Sequence, residues 1–278
     1  MSSAEFSGIL FFSSVLAGLL GALTGLGGGV VIVPLLTLVF HVDIRYAIGA
    51  SLVSVIATSS GAAAAYVREG FSNIRIGMFL EIATTLGAVF GAYLTTRVPT
   101  EAIGIVFGLV LLYSAVASYK GKHSNEGLLT TSGLAGMLRL RGSFPCEGKE
   151  VEYVAQRVPA GFGLMFSAGT LSGLLGIGSG AVKVLAMDQA MGLPFKVSTT
   201  TSNFMIGVTA AASAGIYLSR GYISPGLSMP VMLGVLAGSL TGAKILVHAN
   251  VKTLRTVFAV VIVVMGIEMI INSVMGKL

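Results

Sequence analysis

The chain has 278 residues, 54% of them hydrophobic and only 10% charged, with a mean hydropathy of +0.92. That lies far from the roughly one-quarter charged make-up of soluble domains and points to an integral membrane protein. The formal charge of +6 does not argue for nucleic acid, because Lys and Arg fall mostly between apolar runs, with no basic stripe and no interleaved aromatics.

In chain order, MSSAEFSGILFF lacks the basic n-region and small-residue cleavage site of a secretory signal and reads as leading into a first membrane helix, about 5–24. GLGGG at 25–29 then interrupts the apolar run, in which each glycine weakens a helix by roughly 1 kcal/mol. The apolar piece at 29–40, about 12 residues rising 1.5 Å each, spans only about 18 Å and reads as a half-helix. Fuller helices follow at about 44–67, 74–96 and 101–119. Residues 120–158 form the one long polar segment, carrying Lys120, Lys122, Arg139, Arg141, Lys149 and Arg157, and the positive-inside rule places it in the cytoplasm. Within it LRLRGSF and EVEYVAQ alternate as a small hairpin would, although a flexible connector fits equally well. The single cysteine, Cys146, lies here and has no intrachain partner to form a disulfide with. A second series comprises a helix at 159–175, the break GIGSG at 176–180, a half-helix at 180–191, and helices at 196–218, 226–247 and 252–274.

The two series match in one ungapped register, GLGGG at 25 meeting GIGSG at 176, a shift of 151 positions. In that register Ser51 meets Ser202, Thr58 meets Thr209, Tyr66 meets Tyr217, and Gly87 and Gly91 meet Gly238 and Gly242. The expected fold is an all-α polytopic bundle of two homologous repeats, each with a glycine-broken helix and half-helix plus three membrane helices. The domains are 1–119, first transmembrane repeat; 120–158, cytoplasmic linker; 159–278, second transmembrane repeat. Exchange of Glu101 for Lys252 and of Gly104 for Arg255 between the copies favours an inverted second unit, with parallel units of four crossings as the alternative and 8 to 10 crossings in all.

Unwound backbone inside hydrocarbon survives only where it is buried in protein or lines a wet cavity, so the breaks are expected to mark a cavity. A helix start carries free N–H groups and a partial charge of about +0.5, and two such ends facing one another make an anion site. The candidate binding residues are Gly25, Gly27, Gly28, Gly29 and Ser51 from the first copy. From the second come Gly176, Gly178, Ser179, Gly180, Lys183, Thr201, Ser202 and Asn203. Competing readings accompany them. The glycines can serve close packing alone, as Gly87, Gly91, Gly238 and Gly242 are expected to do; Lys183 can snorkel or pair with Asp188; the hydroxyls can bond back to their own helix. Glu81, Asp188 and Glu268 are the candidates for proton coupling, interhelical hydrogen bonding being the alternative for Glu81 and Glu268.

GIGSGA fits G-x-G-x-x-A, but a helix-length apolar run precedes it and residues 194–203 contain no acid, so it is not a nucleotide fingerprint. His41, His123 and His248 have no metal-ligand spacing, and no metal or cofactor is implied. An embedded enzyme would need a catalytic cluster that the sequence does not contain; a passive anion channel would share the electrostatics of a carrier.

The stretch GLLGALTGLGGGVVIVPLL, its second copy SGLLGIGSGAVKV and the linker between the copies resemble the sulfite exporter TauE/SafE family of the 4-toluene sulfonate uptake permease superfamily. The resemblance covers nearly the whole chain outside 120–158. It implies a secondary transporter of sulfite or small organosulfonate anions, coupled to an ion gradient and working by alternating access in the cell membrane. The partners implied are a small anionic substrate and the lipid bilayer, with no nucleic acid; a homodimer is compatible with the sequence and unspecified by it. Pro34 becomes Leu185 and Ile32 becomes Lys183, so the two halves are chemically unequal.

Overall fold

The computed structural model describes residues 3–24, 28–68, 72–119, 133–146, 149–246 and 251–276. The first series comprises α1 (Ser3–Thr24), α2 (Gly29–Pro34), α3 (Ile44–Arg68), α4 (Ile74–Leu94) and α5 (Thr100–Tyr119). A short α6 (Gly133–Met137) precedes the strands β1 (Arg141–Cys146) and β2 (Lys149–Val154). The second series is α7 (Val158–Leu175), α8 (Gly180–Leu185), α9 (Phe195–Ser219), α10 (Pro225–Leu246) and α11 (Val251–Val274). The full-length helices thus stand within two residues of the expected bounds, because polar or Gly/Pro punctuation separates each apolar run, whereas α2 and α8 end six residues short of the expected half-helices. β1 and β2 pair antiparallel, Arg141 opposite Val154 and Phe144 opposite Val151, so the hairpin rather than the flexible connector is what the linker alternation encodes.

α2 and α8 each run into a five-residue π-helical turn, Leu35–Val39 and Ala186–Ala190. Half-helix and turn together are 11 residues, about 16 Å long, well short of a ~30 Å hydrocarbon layer. Among the described residues, Ile74–Leu94 and Val158–Leu175 are long and apolar enough to cross a membrane unaided.

Packing runs between the two series. α1 lies along α10 and α7 along α4, while α3 packs on α9 and α5 on α11. The α4–α7 seam is built from small residues. A Cβ on Gly87 or Gly91 would run into the backbone of Phe166 or Thr170, and one on Gly169 or Gly173 into that of Thr84 or Ala88. Gly238 meets Val15 in the same way at the α1–α10 seam, so these glycines serve close helix approach; the side-chain environment of Gly242 lies outside the described residues. One apolar cluster joins α2 and α3 to α9 and α10 around Ile32, Leu36, Ile48, Leu52 and Val235. A second joins Ile76 and Leu80 of α4 to Leu140 and Tyr153 of the hairpin and to Met187, Met191 and Val197, seating the hairpin on the ends of α4, α8 and α9.

Candidate functional site

The second break begins where α7 ends. Gly176 caps α7 in the left-handed region at φ 67°, its N–H donating to Ser172 O at 2.8 Å. Gly178 at φ 70° and Ser179 at φ 44° then reverse the chain into α8. L side chains rarely adopt that region, which is the physical reason for glycine at 176 and 178. In the first break Gly28 precedes α2, and Gly25 and Gly27 lie outside the described residues.

The two breaks adjoin. A Cβ on Gly29 would stand 2.7 Å from Ser51 Oγ and 3.1 Å from Gly176 O, so the start of α2 faces the end of α7. The described residues of the breaks do not line the open hollow expected of them. They are buried and pack against Ile48, Val55, Ile206 and Val235. Hydroxyls take over the work assigned to a wet cavity: Ser51 Oγ donates to Gly176 O at 2.7 Å, Ser179 Oγ to Ala168 O at 2.6 Å, and Ser202 Oγ to Gly180 O at 3.3 Å. Unwound carbonyls in an apolar interior are thereby satisfied.

One turn into α8, Lys183 is 0% exposed. Its Nζ donates to Thr209 Oγ1 at 2.5 Å, and Thr209 Oγ1 donates to Glu81 Oε1 at 2.7 Å. Thr85 also donates to that oxygen, at 3.1 Å, while the buried Glu81 Oε2 has no hydrogen-bond partner among the described residues. Cation, hydroxyl and carboxylate come from α8, α9 and α4 and cross from one series of helices to the other. Leaving either charge alone in the interior would cost several kcal/mol, and the threonine bridge offsets that. Lys183 therefore neither snorkels nor turns to Asp188, which is buried in the π turn beyond.

The remaining candidates separate. Thr201 accepts from the backbone N–H of Asn73 at 3.0 Å, tying α9 to the start of α4. Asn203 is half-buried on α9. Glu268 is exposed on α11, on neither break. Sequence reading missed Thr209 as a site residue, although it lies seven positions after Ser202 and so on the same helical face toward α8. Asn73 was missed too; its side chain caps α4 by accepting from Ile76 N–H at 3.0 Å.

A bundle of apolar helices with an ionic bridge buried beside a broken helix is the build of a membrane transporter. The family model for the sulfite exporter TauE/SafE matches residues 10–269, and the chain belongs to that family. It is similar to the probable membrane transporter protein YunE of Bacillus subtilis, 27% identical over 96% of this chain and 98% of that protein. YdhB of the same organism, also a probable membrane transporter protein, is 27% identical over 85% of this chain and 87% of its own length. A probable membrane transporter protein of Xylella fastidiosa is 24% identical over 94% of each chain. No solved structure matches the chain.

Proposed function

We propose that the chain is a secondary transporter, not an enzyme, that exports sulfite or small organosulfonate anions across the cell membrane by alternating access. The observation that carries this reading is Lys183, a fully buried cation one turn into the half-helix at the second break, bridged by Thr209 to Glu81. Helix N-terminus and ammonium act together on a negative solute. In this reading the amides of Gly28, Gly29 and Gly178 to Gly180 face the anion, Ser51, Ser179 and Ser202 complete the shell once the bundle opens, and Thr201 and Asn203 would have to move in with α9 to join it.

Charge balance gives the coupling. The Lys183–Glu81 pair is neutral, so an anion lodged at Lys183 leaves one negative charge in a low-dielectric interior. A proton on Glu81, at the oxygen that has no hydrogen-bond partner among the described residues, restores neutrality, so anion and proton favour one another and move together. The neutral complex escapes the ~2.3 kcal/mol per charge that a 100 mV potential imposes. Its direction then follows the combined gradients, outward where the inside excess of the anion exceeds the opposing outside excess of protons.

Two inverted repeats, 1–119 and 159–278, frame this site, joined by a cytoplasmic linker at 120–158. In support, α2 and α8 start 151 residues apart, at Gly29 and Gly180, as do α3 and α9 at Ile44 and Phe195, and α4 and α10 at Ile74 and Pro225. The packing of α1 on α10 and of α7 on α4 is the reciprocity that a pseudo-two-fold axis produces. The test is thermal-shift binding of the purified protein against sulfite, sulfoacetate, taurine, sulfate and carboxylates. Sulfite or an organosulfonate should raise the melting temperature in a saturable way. A shift with cations or neutral solutes only would overturn the reading.

A further inference from the structure

A cavity of about 730 Å³ opens between the linker hairpin, α6 and the start of α4, apart from the breaks. Among the described residues, Arg75, Arg139 and Arg141 line it against one carboxylate, Glu152, leaving a surplus of two positive charges. Arg139, exposed at the turn between α6 and β1, stands at φ 51°, a backbone conformation non-glycine residues seldom adopt. Tyr153, 5% exposed, forms part of the wall, and its hydroxyl accepts from Asn73 Nδ2 at 2.9 Å. Burial pushes the Tyr153 phenol above its usual ionisation range, the Asn73 bond opposing, so the hydroxyl keeps its own proton to donate.

We propose that this cavity binds an organic phosphate, a phosphomonoester or diphosphate group, and that its occupancy is passed to the helices carrying Lys183 and Thr209. The charge surplus matches the −1.5 to −2 that a phosphomonoester carries near pH 7, about twice what a sulfonate offers. Guanidinium forks pair bidentately with phosphate oxygens. The volume falls within the range of about 300–1,000 Å³ typical of small-molecule sites.

The route inward is short. Asn73 donates from its side chain to Arg141 O at 3.3 Å and from its backbone to Thr201 Oγ1 at 3.0 Å, linking the cavity wall to α9. On the far side of the hairpin Gln156 N–H donates to Met191 O at 2.8 Å, directly after the π turn that ends the second half-helix. A ligand that draws Arg75, on α4, toward Arg139 and Arg141 thus acts on α4, α8 and α9 at once.

The experiment is calorimetric titration of pyrophosphate into the full chain in phosphatidylcholine nanodiscs. Saturable binding is expected, weakened about tenfold or more in Arg139→Gln/Arg141→Gln through loss of the charge-assisted hydrogen bonds. Arg75→Gln, exposed at the start of α4 and outside the hairpin, should weaken it too and serves as the second variant if the first fails to fold. Nanodiscs containing phosphatidic acid, whose headgroup is a phosphomonoester, separate the sources: suppression of pyrophosphate binding assigns the site to a lipid headgroup, and undiminished binding to a soluble phosphate, either supporting the proposal. No saturable binding, wild-type affinity in both variants, or equal displacement by sulfite would overturn it.

Discussion

Replacing Thr209 by Val keeps the shape of a fully buried side chain and deletes the hydroxyl between Lys183 and Glu81. Two hydrogen bonds to charged groups are lost, each worth about 1.5–3 kcal/mol, or about 3–6 kcal/mol gross. Part returns, because Thr85 still donates to Glu81 and because the ammonium and carboxylate can close toward one another. A net loss of about 2–4 kcal/mol remains, lowering the melting temperature by about 4–16 °C at the ~2–4 °C per kcal/mol found for large single domains. A neutral interhelical hydrogen bond in a membrane averages only about 0.6 kcal/mol, so a simple polar contact would give a shift near 2 °C or less. The assay is a thermal melt of the purified protein in detergent, with Thr209→Ser as the control that keeps the hydroxyl. A fall below about 2 °C in Thr209→Val, or an equal fall in Thr209→Ser, would refute the account of the bridge.

Three further outcomes are expected. Gly91→Ala drives a methyl into the backbone of Thr170 at the α4–α7 seam and should destabilise by about 1–3 kcal/mol, whereas Gly163→Ala on α7, with open space around it, should be neutral or gain up to about 1 kcal/mol; paired melts decide. Tyr217→Phe removes a buried hydroxyl that donates to Gly173 O at 3.0 Å and meets Thr95 Oγ1 at 2.9 Å, and should cost about 1–3 kcal/mol, read as a denaturation shift against wild type. Glu81→Gln removes the proposed proton carrier, so flux in vesicles of an organosulfonate, whose sulfonate charge does not change near neutrality, should become insensitive to pH between about 5.5 and 8.5 while the wild type responds.

The helix bounds were legible because membrane helices must satisfy their own backbone, which leaves apolar runs of fixed length parted by Gly, Pro and charge, as at Asn73 or GIGSG. The hairpin showed in the alternation of LRLRGSF with EVEYVAQ. The fates of the polar side chains were not legible. Ser51, Ser179 and Ser202 were expected to face a ligand or their own helix, yet each satisfies a carbonyl of the second break or of the helix leading into it, a need that arises only once α3, α7 and α9 are packed together. Likewise Lys183 has Asp188 five positions away in the chain, but the direction of its side chain in α8 brings it to Thr209 and Glu81 on neighbouring helices. Spacing along one helix constrains which face a residue takes; it says nothing of which helix that face meets.

Counterflow in proteoliposomes tests the central claim most directly. Vesicles loaded with unlabelled sulfite should transiently concentrate labelled sulfite, as a carrier does and a pore does not, and Lys183→Gln should abolish the overshoot while still reconstituting. Labelled sulfite that merely equilibrates in wild-type vesicles, or an undiminished overshoot in Lys183→Gln, would contradict a carrier that holds its anion at the buried lysine.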